Sequence, residues 1–143
     1  MKNAENTAQV ELDINASPQK VWEGLTKPAA VKQYMMGAEL KTDWEVGSAI
    51  TWTGEYKGKP FQDKGTVLQA DKPKHLAYTH SSPGPGKADA PENYRHIDIH
   101  LAPKGKGTRL TLTQDNNPNE EARKESEKTW MTMMEGLKKV AEN

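Results

Sequence analysis

The stretch that decides the fold is Asn117-Pro118-Asn119-Glu120-Glu121-Ala122-Arg123-Lys124-Glu125-Ser126-Glu127-Lys128-Thr129-Trp130-Met131-Thr132-Met133-Met134-Glu135-Gly136-Leu137-Lys138-Lys139-Val140. Ala122, Ser126, Trp130, Met133, Leu137 and Val140 recur at steps of three and four, which is one stripe of an α-helix. Asn117 is expected to cap this helix, Pro118 suits its first turn, and Glu120 stands where a capping-box acid would. A helix of about 24 residues extends about 36 Å at 1.5 Å per residue. Glu121, Lys124, Glu125 and Lys128 fall on its other side and read as a solvated face. A single long helix must bury its apolar stripe against something, and the rest of the chain offers a sheet.

Val10, Leu12 and Ile14 alternate with polar neighbours, the pattern of a half-buried strand. Ser17-Pro18 then changes the period, with Ser as N-cap and Pro at the first helical position. Short helices are predicted over about 18–26 and 28–35, divided by Lys27-Pro28. From there every segment reads as strand, near 39–43, 48–54, 61–70, 74–81, 93–102 and 107–115, with turn chemistry between them. Strands joined by short loops pair antiparallel. The expected fold class is α+β, a curved antiparallel sheet of six to seven strands around the long C-terminal helix. Residues 1–143 read as one domain with 1–7 as an unstructured tail, and 81–93 as a long aperiodic loop.

Composition narrows the function classes. The chain has 143 residues, 20 Lys+Arg against 20 Asp+Glu, and no cysteine. Zero net charge argues against a nucleic-acid binder, and the missing thiol excludes disulfides and thiolate metal sites. Met1-Lys2-Asn3-Ala4-Glu5-Asn6 contains no apolar run, so neither a signal peptide nor membrane insertion is expected and the cytoplasm is the expected location. Leu, Ile, Val and Phe together number only 20, and four Trp, four Tyr and six Met supply the remaining bulk. A core leaning on Met adapts its shape readily.

A straight helix cannot lie flush on a bent sheet, so a hollow is expected between them, and a hollow not filled by side chains is a ligand pocket. Strand parity directs Leu12, Ile14, Ile50, Leu110 and the candidate binding residues Trp52, Leu76, Tyr78, Ile97, Ile99, Leu112 and Gln114 toward it. The helix contributes Trp130, Met133, Met134 and Leu137. Tyr78 and Gln114 are the polar groups that could orient a ligand. Gly136 lies beside the stripe and reads as a tolerated helix glycine rather than clearance for a guest.

Several motifs in order carry a family resemblance. They are Ser17-Pro18 with Val21-Trp22, Trp44 with Gly47, Gly65 with Val67-Leu68, Pro73 with Leu76 and Tyr78-Thr79, Thr108 to Gln114, and the closing helix with Trp130 and Leu137. Over about residues 8–141 the chain resembles bacterial homologues of the activator of the heat-shock protein 90 ATPase. These belong to the START/polyketide-cyclase (SRPBCC) superfamily. The resemblance implies the helix-grip fold and binding of a lipid, sterol, polyketide or flavonoid-like molecule between sheet and helix, as carrier or sensor. It also implies two other roles: a stress-response co-chaperone that contacts a chaperone, and a cyclase or aromatase. The resemblance departs at Tyr34-Met35, where relatives often carry a Trp pair.

Catalytic signatures are absent from the sequence: there is no nucleophile elbow, no His-Glu-x-x-His and no phosphate loop. No catalytic residue, metal ligand or cofactor is assigned. His96-x-Asp98-x-His100 is the one spacing that suits zinc or iron, since alternate strand residues share a face. That face is opposite Ile97 and Ile99, and the three read as solvated polar residues. His80 continues the Leu76-Tyr78 side and reads as a partly wet rim residue.

Overall fold

The computed structural model describes residues 6–35, 37–56, 58–81 and 94–142. The elements run β1 (Ala8–Ile14), α1 (Pro18–Thr26), α2 (Pro28–Tyr34), β2 (Glu39–Lys41), β3 (Ala49–Tyr56), β4 (Lys59–Asp71), β5 (His75–His80), β6 (Arg95–Lys104), β7 (Gly107–Gln114) and α3 (Glu120–Glu142). All seven strands join one antiparallel sheet in the order β1-β7-β6-β5-β4-β3-β2. This is the helix-grip arrangement predicted from the periodicity and the resemblance. The expected loop at 81–93 falls almost wholly outside the described residues, as do residues 1–5 of the expected tail. Asn6, at the end of that tail, accepts a hydrogen bond from Asn117 Nδ2 at 2.7 Å.

The sheet bends at β4. Its first half pairs with β3 and its second half with β5, and the register slips between Val67 and Gln69. Such a bulge raises local twist. Just before it, Thr79 Oγ1 accepts the Thr66 N–H at 2.8 Å, a bond the regular ladder does not make. Gly65 is required here, because a Cβ at this position would lie 1.7 Å from the Thr79 carbonyl oxygen. The curvature is therefore written into Gly65 to Leu68, and it gives the sheet its concave face.

That face buries Ile50, Trp52, Val67, Leu76, Ile97, Ile99, Leu110 and Leu112. Helix α1 adds Val21, Trp22 and Leu25. On α3 the buried residues are Trp130, Met134, Leu137 and Ala141, with Met133 and Val140 half-buried. The predicted stripe therefore holds at Trp130 and Leu137, while Met134 and Ala141 are covered more deeply than Met133 and Val140. The α3 cap is also displaced. Asn119 Oδ1 accepts the Ala122 N–H at 2.8 Å, whereas Asn117 is buried and its amide bonds elsewhere. Gly136 answers to packing: a Cβ there would meet Tyr34 Cβ at 2.7 Å, so the glycine lets α2 and α3 approach.

Helix α3 runs parallel to β1, at the outer edge of the sheet. Glu127 Oε2 accepts the Gln9 N–H at 3.0 Å, and Glu142 Oε2 accepts the Asn15 N–H at 2.7 Å. Six strand residues rise about 20 Å and fifteen helical residues about 22 Å, so the two spacings match.

Candidate functional site

A cavity of about 380 Å³ lies between the N-terminal half of α3 and the bent part of the sheet. Its walls come from seven places in the chain. Trp52 on β3 and Tyr78 on β5 form the floor, with ring centroids 5.3 Å apart, and Phe61 on β4 flanks them. Trp130 and Met133 on α3 close it from above, and Met35 and Ala38 follow α2 on one side. Arg95, Glu125 and Thr129 stand at the margin, where Glu125 and Thr129 are exposed to solvent. The space is thus apolar inside and charged at the lip, the usual make-up of a small-molecule site.

The polar groups of the wall differ in what they have left to offer. Gln114 is fully committed. Its Oε1 accepts the Trp130 indole N–H at 2.9 Å, and its Nε2 donates to Asn117 Oδ1 and to the Asp115 carbonyl, both at 3.0 Å. Asn117 Oδ1 also accepts from Ser126 Oγ at 2.8 Å. These bonds tie the end of β7 to α3, so Gln114 shapes the cavity rather than greeting a ligand. Tyr78 is the opposite case: it is 5% exposed, and its hydroxyl makes no hydrogen bond among the described residues. Burial pushes the phenol well above its ordinary value, so it stays protonated and able to donate at neutral pH.

His80 sits on the same wall, edge-on to Trp52 at 5.3 Å between centroids, and its Nε2 lies 3.0 Å from Asp63 Oδ2. Both side chains are about four-fifths covered, 23% and 22% exposed. The carboxylate orients the ring.

Of the residues expected from sequence to meet a ligand, Trp52, Tyr78, Gln114, Trp130 and Met133 line the cavity. Leu76, Ile99 and Met134 instead border a tight crevice behind it, of about 10 Å³. Ile97, Leu112 and Leu137 border neither space; each is at most 1% exposed and packs as core. The same holds for Ile50 and Leu110. Phe61, Asp63 and Arg95 were not anticipated. Strand parity alone offers a signal for Phe61 and Asp63, which share a face of β4, but the bend that turns them inward depends on Gly65.

His96, Asp98 and His100 lie on the outer sheet face opposite the buried Ile97 and Ile99, the side expected for them. His96 leaves the group: its ring Nδ1 is 3.1 Å from Asp115 Oδ2, and its backbone N–H donates to Asp115 Oδ1 at 2.6 Å. Asp98 and His100 are joined on the outer sheet face by His75, which lies directly opposite His100 in the β5–β6 register.

No described helix is long and apolar enough to cross a membrane. A search of curated protein sequences finds no match. Among solved structures, the chain is 48% identical to ChR145 from Cytophaga hutchinsonii, with a TM-score of 0.85 over 100% of this chain and 97% of that one. Protein NE0264 from Nitrosomonas europaea is 22% identical, at a TM-score of 0.78 over 98% and 96% of the two chains. DynU16, a protein of the dynemicin biosynthetic locus, is 17% identical, at 0.79 over 96% of this chain and 48% of that one. Residues 15–142 match the model of the Activator of Hsp90 ATPase homolog 1-like proteins, and with the helix-grip fold in place the chain belongs to that family.

Proposed function

We propose that this protein binds one compact, largely apolar small molecule between sheet and α3, as a carrier or sensor. The observation that carries the reading is the Tyr78 hydroxyl, which lines the cavity and makes no hydrogen bond among the described residues, although the rest of the residue is packed away from solvent. A hydroxyl that opens into the hollow is free to donate to a ligand acceptor, a hydrogen bond worth about 0.5–1.5 kcal/mol net. The volume of about 380 Å³ stands near the low end of the roughly 300–1,000 Å³ of small-molecule sites. A flavonoid- or polyketide-like ring system therefore suits it better than a sterol or a long-chain lipid. Trp52 and Trp130 offer aromatic faces for stacking, and Tyr78 donates to a carbonyl or phenolate oxygen of the guest.

Titration with flavonoids, tetracyclic polyketides, sterols and fatty acids, followed by Trp emission, tests this. Saturable one-to-one quenching by the ring systems is expected, and flat responses across the whole panel overturn the reading.

A second reading is favoured by the His80–Asp63 pair, which puts a carboxylate-oriented imidazole beside the Tyr78 phenol in the same cavity. There His80 would take a proton from carbon α to a carbonyl and Tyr78 would donate to the resulting enolate oxygen, the chemistry of a cyclase or aromatase. Turnover of a bound polyketide that disappears in His80→Ala supports this reading, and binding without turnover favours the carrier. The family description also brings in a co-chaperone role. A pull-down against the heat-shock protein 90 chaperone of the same cell tests it, and failure to capture the chaperone removes it.

A further inference from the structure

On the convex face of the sheet, away from the cavity, three metal-ligating side chains converge. His75 opens β5 and pairs in register with His100 on β6, while Asp98 lies two residues before His100 and so on the same face. Asp98 Oδ1 is 2.7 Å from His75 Nε2 and 2.8 Å from His100 Nε2. The rings stack with centroids 4.1 Å apart and planes 11° from parallel. One carboxylate oxygen thus serves two ring nitrogens, and the three ligand atoms all lie within 4.8 Å of one another.

We propose that His75, Asp98 and His100 form a binding site for a divalent first-row transition ion such as zinc. Two imidazoles and one carboxylate are a borderline-soft donor set, which suits zinc, nickel or copper and not magnesium or calcium. An ion about 2.0–2.2 Å from each ligand atom separates those atoms by roughly 3.3–3.6 Å. The present nitrogen–oxygen distances of 2.7 and 2.8 Å therefore open by less than about an ångström. Each ring turns about its Cβ–Cγ bond so that its lone pair meets the ion, and each neutral ring then carries its hydrogen on Nδ1. The side chains are 28%, 41% and 61% exposed for His75, Asp98 and His100, so an ion enters without unfolding anything and water completes its coordination. The backbone supplies the preorganisation, because two adjacent strands hold the ligands. Bound there, the ion clips the start of β5 to the middle of β6.

Calorimetric titration with zinc chloride, beside magnesium chloride, reads the site directly. One zinc per chain is expected, with no uptake of magnesium. Affinity should fall about tenfold or more in His75→Ala and in His100→Gln. It should stay unchanged in His96→Ala, whose ring is held by Asp115 elsewhere on the face. His100 is the more exposed ligand, so His100→Gln keeps the fold, which far-UV circular dichroism verifies. In proton spectra the ring signals of His75 and His100 should move on zinc addition while those of His80 and His96 stay. Absence of zinc uptake up to about 1 mM overturns the proposal. So does uptake indifferent to both ligand substitutions, or uptake lost with His96→Ala.

Discussion

The indole N–H of Trp130 donates to Gln114 Oε1 at 2.9 Å, a buried bond that joins the last strand to the long helix at the wall of the cavity. It holds the roof over the hollow at a fixed height, because the same amide is pinned by Asn117 and the Asp115 carbonyl. Gln114→Leu leaves the indole N–H and Asn117 Oδ1 short of a partner. Urea unfolding should show a loss of about 2–3 kcal/mol, with a shift in Trp emission.

Tyr78→Phe separates binding from stability. The hydroxyl has no partner within the described protein, so its removal should leave the melting temperature unchanged or slightly raised. Affinity for the best ring-system ligand should fall about three- to tenfold, the worth of one hydrogen bond, as read by Trp quenching.

Gly136→Ala sets helix propensity against space. Alanine gains about 1 kcal/mol as a helix former, yet its Cβ would fall 2.7 Å from Tyr34 Cβ. Tyr34 has little freedom to yield, since its hydroxyl donates to the Gly24 carbonyl at 2.8 Å. Overpacking of this kind costs about 1–3 kcal/mol, so a lower melting temperature is expected despite the better propensity.

Asp13, at the edge of the sheet, is one source of acid sensitivity. Arg109 and Lys104 hydrogen-bond Asp13 and hold its carboxyl down at about 2, against an ordinary value of 3.8. The folded value lies below the unfolded one, so the stabilising contribution is present above about pH 4 and fades between there and about pH 2. Asp13→Asn should flatten the acid limb of the stability curve over that interval and weaken its salt dependence, as measured by thermal melts across pH and ionic strength.

The periodicities of Ile97-Ile99-Leu101 and of Trp130-Leu137 sufficed for strand, helix and inner face, because burial of a pleated or helical surface demands them locally. What local spacing does not carry is register and close approach. His96, Asp98 and His100 are evenly spaced on one strand, yet the cluster that forms needs His75 from the neighbouring strand. Asn117 has the side chain of a cap, but Gln114 and Asn6 claim it and Asn119 caps instead. Phe61 and Asp63 reach the cavity only because the chain bends next to Gly65. The cavity's aromatic floor was readable from alternation, and its polar lip was not.

Because α3 lies along β1 and Glu127 and Glu142 take up two of its outward N–H groups, at Gln9 and Asn15, another chain finds a poorer template for adding a strand there. The opposite border, β2, is three residues long and offers little purchase. The long helix thus guards against fibre growth as well as roofing the hollow. Shortening it from its C-terminal end should make the edge sticky, as light scattering would read, before the cavity itself is disturbed.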